Sequence, residues 1–272
     1  MNENLAHQAK KRFGQNFLVD NSIINMIVDS IQPLTDDIMI EIGPGLGAMT
    51  KPLLSRLDKL NVIELDRDII PKLTRNCIIS DARNKDKLII NESDVLKFDF
   101  FEFHKKIETN KQKKLRIVGN LPYNISTPVL FHLLKSRHLI QDMHFMLQKE
   151  VVDRIVSTPG NKLYGRLSVM IQTYFTAQSL FDVPPYAFEP PPKVNSAILR
   201  LQPNDQFEQH IDDFSRFEKL IRQAFSQRRK TLKNTLKNTC DSKQIEKAGL
   251  SPSQRAEELS VNDFVNLYKT IT

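Results

Sequence analysis

The sequence predicts an α/β fold: a parallel sheet covered by helices on both faces, followed by a small all-α domain. Three observations carry this. Short apolar runs alternate with stretches of helical periodicity from about residue 37 to residue 156. The first strand-to-helix junction is rich in glycine. Past Pro203 the strand-like runs stop and helical spacing takes over. Alternation of this kind is the pattern of a parallel sheet with crossover helices, whose ligands sit outside the carboxyl ends of the strands.

Taken in order, Ile23, Ile24, Ile27, Val28 and Ile31 repeat at helical spacing behind a candidate cap at Asn21. DIMIEIG is the first strand and GAMTKPLLSRL the helix after it. KLNVIEL is the second strand and DIIPKLTRN its helix, with Pro71 tolerated near the start. KLIINESDV reads as a third strand and LRIVGN as a fourth, followed by a helix from about Thr127 to Lys135. MHFMLQ is a fifth strand and leads into the helix KEVVDRIV. LFDVPPYAFEPPPKVNSAILRLQP reads as two extended segments around a proline-rich turn. In the tail, Leu220, Ile221, Ala224, Phe225, Leu232 and Leu236 form an apolar stripe, with Arg228, Arg229, Lys230, Lys233 and Lys237 mostly off it. Ser251 to Gln254 and Ser260 to Asp263 have the form of capping-box helix starts. The expected division is therefore 1–203 for the α/β domain and 204–272 for the helical one.

Composition narrows the class. The chain is 272 residues long and 40% hydrophobic, enough for a real core. Its two cysteines, Cys77 and Cys240, make no disulfide framework, and no spacing of Cys or His suggests a metal. The first fourteen residues lack the apolar stretch of a secretory signal, and no run reaches membrane-spanning length. These features predict a soluble cytoplasmic protein with no membrane partner and no metal, expected to be a monomer. The formal net charge is +7 and it is unevenly placed. Nine basic residues against three acidic ones lie between Glu218 and Lys247, six against one between His104 and Arg116, and Lys10, Lys11 and Arg12 stand together. One such run is usually a solvated face. Three of them point to a polyanion, nucleic acid above all.

EIGPGLGAMT, residues 41–50, sits at the first strand-to-helix junction, where Gly43, Gly45 and Gly47 allow a tight turn and close approach of a ligand. GPGLGA also fits the dinucleotide pattern, with Glu64 standing about 20 residues on as a ribose-binding carboxylate. NAD and S-adenosylmethionine (SAM) both satisfy these features. Glu41, two residues before the first glycine, gives the E-x-G-x-G-x-G form found in SAM enzymes. Asp94, at the end of the third strand, can accept from an adenine amino group; alone it would be an ordinary turn cap.

GNLPYNIS, residues 119–126, follows the fourth strand. Alone it is a strand end, a proline turn and a capping Ser126. Beside a SAM loop it has a chemical use. The exocyclic nitrogen of adenine is a poor nucleophile because its lone pair is delocalised into the ring. Two acceptors, the Asn120 side-chain carbonyl and the Leu121 backbone carbonyl, can hold its two hydrogens and favour a pyramidal nitrogen. Pro122 fixes the chain direction and Tyr123 offers a face on which the base can stack. Displacement from a sulfonium needs positioning and desolvation more than an acid or a nucleophile.

Eight segments in order resemble the KsgA-type ribosomal RNA adenine dimethyltransferases over nearly the whole chain: GQNFLVD, EIGPGLGAMT, IELDRD, SDVL, GNLPYNISTPVLFHLL, YGRLSV, VPPYAFEPPPKVNSAILRL and FSQRRKTLKNTL. The resemblance implies a Rossmann-like SAM-dependent methyltransferase domain with a small RNA-binding helical domain. It implies four methyl transfers, two to each of two adjacent adenines in the loop of the 3′-terminal hairpin (helix 45) of 16S ribosomal RNA, within a 30S particle or its precursor. It places SAM contacts on Asn16, Leu18, Gly43, Glu64, Asp94 and Asn120, and a second stacking ring on Phe188. HKKIETNKQKK, 104–114, looks like a longer basic loop than is typical of the family. Three other readings compete. The sister class that methylates large-subunit RNA shares the glycine loop but fits NLPYNISTP and YGRLSV less well. A non-catalytic RNA-binding relative would not need an intact Asn120–Tyr123 pair. An NAD-dependent dehydrogenase would leave NLPY and the basic tail unexplained.

Overall fold

The structure, a computed structural model, describes residues 16–107 and 113–271. The cluster Lys10 to Arg12, the start of GQNFLVD and the middle of the basic segment 104–114 lie outside the described residues.

Among the described residues nine strands form: β1 (Phe17–Leu18), β2 (Ile38–Ile42), β3 (Leu60–Glu64), β4 (Leu88–Glu92), β5 (Leu115–Asn120), β6 (Ile140–Gln148), β7 (Phe175–Val183), β8 (Phe188–Glu189) and β9 (Ser196–Pro203). β1 and β8 make a short antiparallel ladder; the other seven form one sheet in the order β4-β3-β2-β5-β6-β9-β7. β4, β3, β2, β5 and β6 pair in parallel, as the alternation predicts. β3 is buried along its whole length and β2 over Met39–Ile42, which is why both read as near-continuous apolar runs. The connections leave β2 towards β3 and return at β5 on the other side, so the order reverses between β2 and β5. Ligands of such sheets bind outside the carboxyl ends of the strands at that reversal.

The helix Asn21–Ile31 buries Ile24, Ile27, Val28 and Ile31, the predicted stripe. Its cap is Asp20, not Asn21: the Asp20 carboxylate accepts from the Ser22 and Ile23 N–H groups, which makes Asn21 the first helical residue. The helix expected from Gly47 is only Thr50–Leu54, because the glycine loop spends the residues before it in turns. The third strand stops at Glu92; Ser93 and Asp94 already belong to a turn. Part of the predicted basic loop is helix, since Phe100–Ile107 forms behind Asp99, whose carboxylate accepts from Phe101 and Glu102.

A single division at Pro203 is expected, but the two compact units interleave. One comprises the chain up to Lys149 with Leu180–Arg200, the other Glu150–Ser179 with Leu201 onward. The reason lies in the helix Arg166–Tyr174. Seven of its nine residues are buried, so it cannot sit at a surface. Within its unit Arg166 pairs with Glu218 and Tyr174 packs on Phe214. The tail stripe is buried at Leu220, Ile221, Ala224, Leu232 and Leu236, while Arg229, Lys230, Lys233 and Lys237 are exposed. Ser260 and Asp263 make the reciprocal cap of the helix Val261–Ile271. Ser251–Gln254 starts no α-helix. The Pro252 and Gln254 carbonyls accept from Lys233 and Leu232, which commits that backbone to a turn and a bridge.

Candidate functional site

At the sheet reversal the carboxyl ends of β2 and β5 lie side by side, Ile42 opposite Gly119. Gly119 permits this closeness: a Cβ there would stand 2.5 Å from the Ile42 carbonyl oxygen. Gly43 follows with φ +66°, and its N–H donates to the Ile63 carbonyl at 3.0 Å, tying the loop to β3. Gly45 is also left-handed, and a Cβ on it would press the Phe17 ring at 3.2 Å. The loop, Asn16 to Leu18, Glu64, Asp94 and the turn after β5 enclose a mainly apolar cavity of about 250 Å³.

Five of the six residues to which SAM contacts are assigned bring side chains with polar groups or a bare backbone to this cavity: Asn16, Gly43, Glu64, Asp94 and Asn120. Leu18 lines it as well, through an apolar side chain. The Glu64 carboxyl is nearly buried and accepts from the Asp66 N–H at 2.8 Å; burial raises its pKa against the pull of the backbone N–H groups around it, Gly45 included. Asp94 accepts from Leu96 through Oδ1, as the cap of a single 3₁₀ turn, so its place in the cavity and its capping role coexist.

In the sequence Glu41 stands only as a signature of the glycine loop; the structure makes it part of the site. It is 1% exposed, lines the cavity, and leaves Oε2 without a hydrogen-bond partner. Burial, reinforced by the nearby Glu64 charge, pushes its pKa up to about 7. A buried carboxylate with an unpaired oxygen is costly unless something cationic or hydrogen-bonding completes it. SAM carries both a sulfonium and an ammonium, so the donor set fits that group. The signal in the sequence was one carboxylate inside the otherwise apolar strand IMIEI.

The turn after β5 is held at both ends. Leu121 donates to the Met146 carbonyl at 3.2 Å, and Ile125 and Ser126 both donate to Pro122. The Leu121 carbonyl is not used in closing the turn. The Asn120 amide nitrogen donates to the Asn16 carbonyl at 3.2 Å, which leaves its side-chain carbonyl as an acceptor. Tyr123 is half-buried at the cavity wall, and its hydroxyl meets the Ser196 hydroxyl at 2.8 Å. Asn120, Leu121, Pro122 and Tyr123 all line this cavity.

Phe188 does not join them. It is 3% exposed, pairs with Leu18 in the β1–β8 ladder, and belongs to the apolar core with Ile27, Val28 and Met146. The ladder turns this ring inward and leaves Tyr186, 75% exposed, as the outward aromatic of that segment. As placed, Phe188 supports Leu18 from behind and has no face on the cavity.

A family model described as ribosomal RNA adenine dimethylase matches residues 6–272. The chain is 48% identical over 261 residues to ribosomal RNA small subunit methyltransferase A of Neisseria gonorrhoeae, covering 96% of this chain and 95% of that one. It is 51% identical over 259 residues to the protein of the same name from Xylella fastidiosa, covering 95% and 94%. A crystal structure of a dimethyladenosine transferase from Plasmodium falciparum superposes with a TM-score of 0.77 at 26% identity, covering 92% of this chain and 95% of that one.

Proposed function

The chain belongs to the ribosomal RNA adenine dimethylase family, and from that premise we propose that it transfers methyl groups from SAM to the exocyclic nitrogens of two adjacent adenines of small-subunit (16S) ribosomal RNA. The observation that carries this reading is the pair of acceptors at the end of β5. Asn120 and Leu121 both line the cavity of the glycine loop, Glu41, Glu64 and Asp94, and the Asn120 amide nitrogen is taken by the Asn16 carbonyl, which supports reading the Asn120 and Leu121 carbonyls as the pair of acceptors.

Bound SAM would supply a methyl group on a sulfonium, taken by the nucleophile as the carbon–sulfur bond breaks and a neutral thioether leaves. The protein's own residues do the rest. Asn16, Leu18, Gly43 and Glu41 would hold the amino-acid end, Glu64 the ribose and Asp94 the adenine amino group. On the substrate side the target base must leave its stack to enter. Tyr123 then supports it from one face. In the first transfer to each base the Asn120 and Leu121 carbonyls accept the two N–H hydrogens, aim the nitrogen lone pair at the methyl carbon, and stabilise the positive charge that develops on nitrogen; in the second the monomethylated nitrogen offers its one remaining hydrogen. The proton leaves after transfer. No general base of shifted pKa is needed at the nitrogen, and orientation supplies most of the acceleration.

RNA capture is assigned to residues 204–272, where Arg229, Lys230, Lys233 and Lys237 stand exposed. Arg228 is different. It bonds the Lys162 carbonyl and pairs with Glu257 at 3.0 Å, so it braces its own unit. The target is proposed to be the 3′-terminal hairpin loop (helix 45), presented in a 30S particle or its precursor and met by a monomer in the cytoplasm. The test is methyl transfer from labelled SAM to under-methylated small and large ribosomal subunits, with nucleoside analysis by mass spectrometry. Dimethyladenosine in the small-subunit RNA is the expected result. Label in large-subunit RNA alone would reject the proposed target.

A further inference from the structure

We propose that Ser196 is a positioning residue for methyl transfer: its buried hydroxyl tethers the far end of the Tyr123 ring and so sets where that ring stands against the target adenine. The inference rests on the stacking role given to Tyr123 above.

The geometry argues for it from three sides. Ser196 is completely buried, and its Oγ meets the Tyr123 hydroxyl at 2.8 Å, 73 residues away in sequence. The residue is itself fixed. It opens β9, and the carbonyl of the preceding Asn195 accepts from the Lys149 N–H at 2.9 Å, immediately past the end of β6. Tyr123, by contrast, lies in a turn rather than in the sheet. The turn around it is closed by Leu121 donating to Met146 and by Ile125 and Ser126 donating to Pro122, and the Ser126 hydroxyl donates to the Tyr123 carbonyl at 3.2 Å. What that scaffold leaves undetermined is where the side chain points. The Tyr123 hydroxyl oxygen lies on the ring axis, so a bond to it fixes where the ring points, the first side-chain torsion, rather than its rotation about that axis.

Stacking alone would be served by phenylalanine, because any flat ring presents a π-face. A hydrogen bond from the phenol to a buried serine on β9 is needed only if the position of that face matters. In this site it does. The two carbonyls at Asn120 and Leu121 are fixed by the sheet and the turn, so the base must lie in one plane to give both of them a hydrogen. A ring free to swing would admit the base in positions where one hydrogen bond is missing and the lone pair misses the methyl carbon.

The tether should act on the chemical step and leave the donor site alone. Ser196→Ala is expected to lower kcat for transfer to under-methylated small subunits about tenfold, or about 1.4 kcal/mol, with the Kd for SAM by calorimetry and the KM for the subunit little changed. Ser196→Thr, which keeps a hydroxyl, should restore most of the rate. Tyr123→Phe breaks the same bond from the less buried side and keeps the measurement possible if Ser196→Ala folds poorly; it should show the same loss. The double variant should be no slower than either single one, since the two changes remove one interaction. Losses that add in the double variant overturn the tether, as does full activity of both Ser196→Ala and Tyr123→Phe when Tyr123→Ala is inactive; that last pattern leaves stacking intact. Full activity of Tyr123→Ala would instead overturn the stacking role and the tether with it.

Discussion

In the proposed function the end of β5 and the basic tail do opposite kinds of work. At the end of β5 the side chains that shape the site are each held in place. The Asn120 amide is turned by Asn16, the turn is closed on Pro122, and Tyr123 is held by Ser196. In the tail, Arg229, Lys230, Lys233 and Lys237 are simply exposed on a helical unit whose apolar side is buried. A nucleophile made reactive by two acceptors tolerates errors of a fraction of an ångström at most, whereas a polyphosphate responds to the sum of charge near it. Single substitutions should therefore be severe and local in the first region, graded and salt-dependent in the second.

The largest effect is expected at Gly119. A methyl group there meets the Ile42 carbonyl at 2.5 Å, in the backbone of the neighbouring strand. Gly119→Ala should lower stability by about 1–3 kcal/mol in chemical denaturation and also weaken SAM binding, because the strand ends that shape the cavity must part. Unaltered stability would mean that the two strands can give way without cost. Next comes charge. Arg229→Glu with Lys230→Glu should weaken RNA binding about tenfold or more and flatten the salt dependence by about one unit of slope for each phosphate no longer neutralised. Arg228→Gln should cost less than about 1 kcal/mol of stability and leave the slope in place, since that side chain is engaged with Glu257 and Lys162. If Arg228 flattens the slope as much as its neighbours, the separation of brace from phosphate ligand is wrong.

The smallest effect is the pH dependence of donor binding. Glu41 has a pKa of about 7, above its ordinary value of 4.5. A carboxyl raised by folding holds its proton more tightly in the folded chain. Stability of the ligand-free protein should thus fall as pH rises from about 4.5 through 7. A cationic donor favours the ionised form, so SAM affinity should rise a few-fold between about pH 6 and pH 8, with proton release on binding below about 7. Glu41→Gln should flatten that profile, as followed by calorimetry. An unchanged profile would remove Glu41 from the donor site.

Much of the α/β half was legible because β2, β3 and β5 are buried and their apolar runs are nearly uninterrupted. The glycine loop and NLPY were legible because each uses residues with unusual backbone or polar properties at a strand end. The β1–β8 ladder was not. It is two residues long on each side, and its register decides that Phe188 faces inward. No periodicity in so short a stretch reveals which way a ring points. The interleaved units escaped for a related reason. The helix Arg166–Tyr174 belongs with the tail through distant partners, such as Glu218, which pairs with Arg166 across 52 residues of chain. Ser196 gives no sign in the sequence that its partner is Tyr123.

The central claim is that Asn120 acts on the substrate nitrogen beyond any part it has in holding the donor. The direct measurement is single-turnover methyl transfer by Asn120→Ala to under-methylated small subunits, beside its Kd for SAM. Transfer reduced at least about 100-fold, as for loss of one oriented group at a developing charge, with SAM affinity only partly weakened, is the expected result. Unchanged turnover at saturating SAM would contradict the claim and return Asn120 to the role of a strand-end cap.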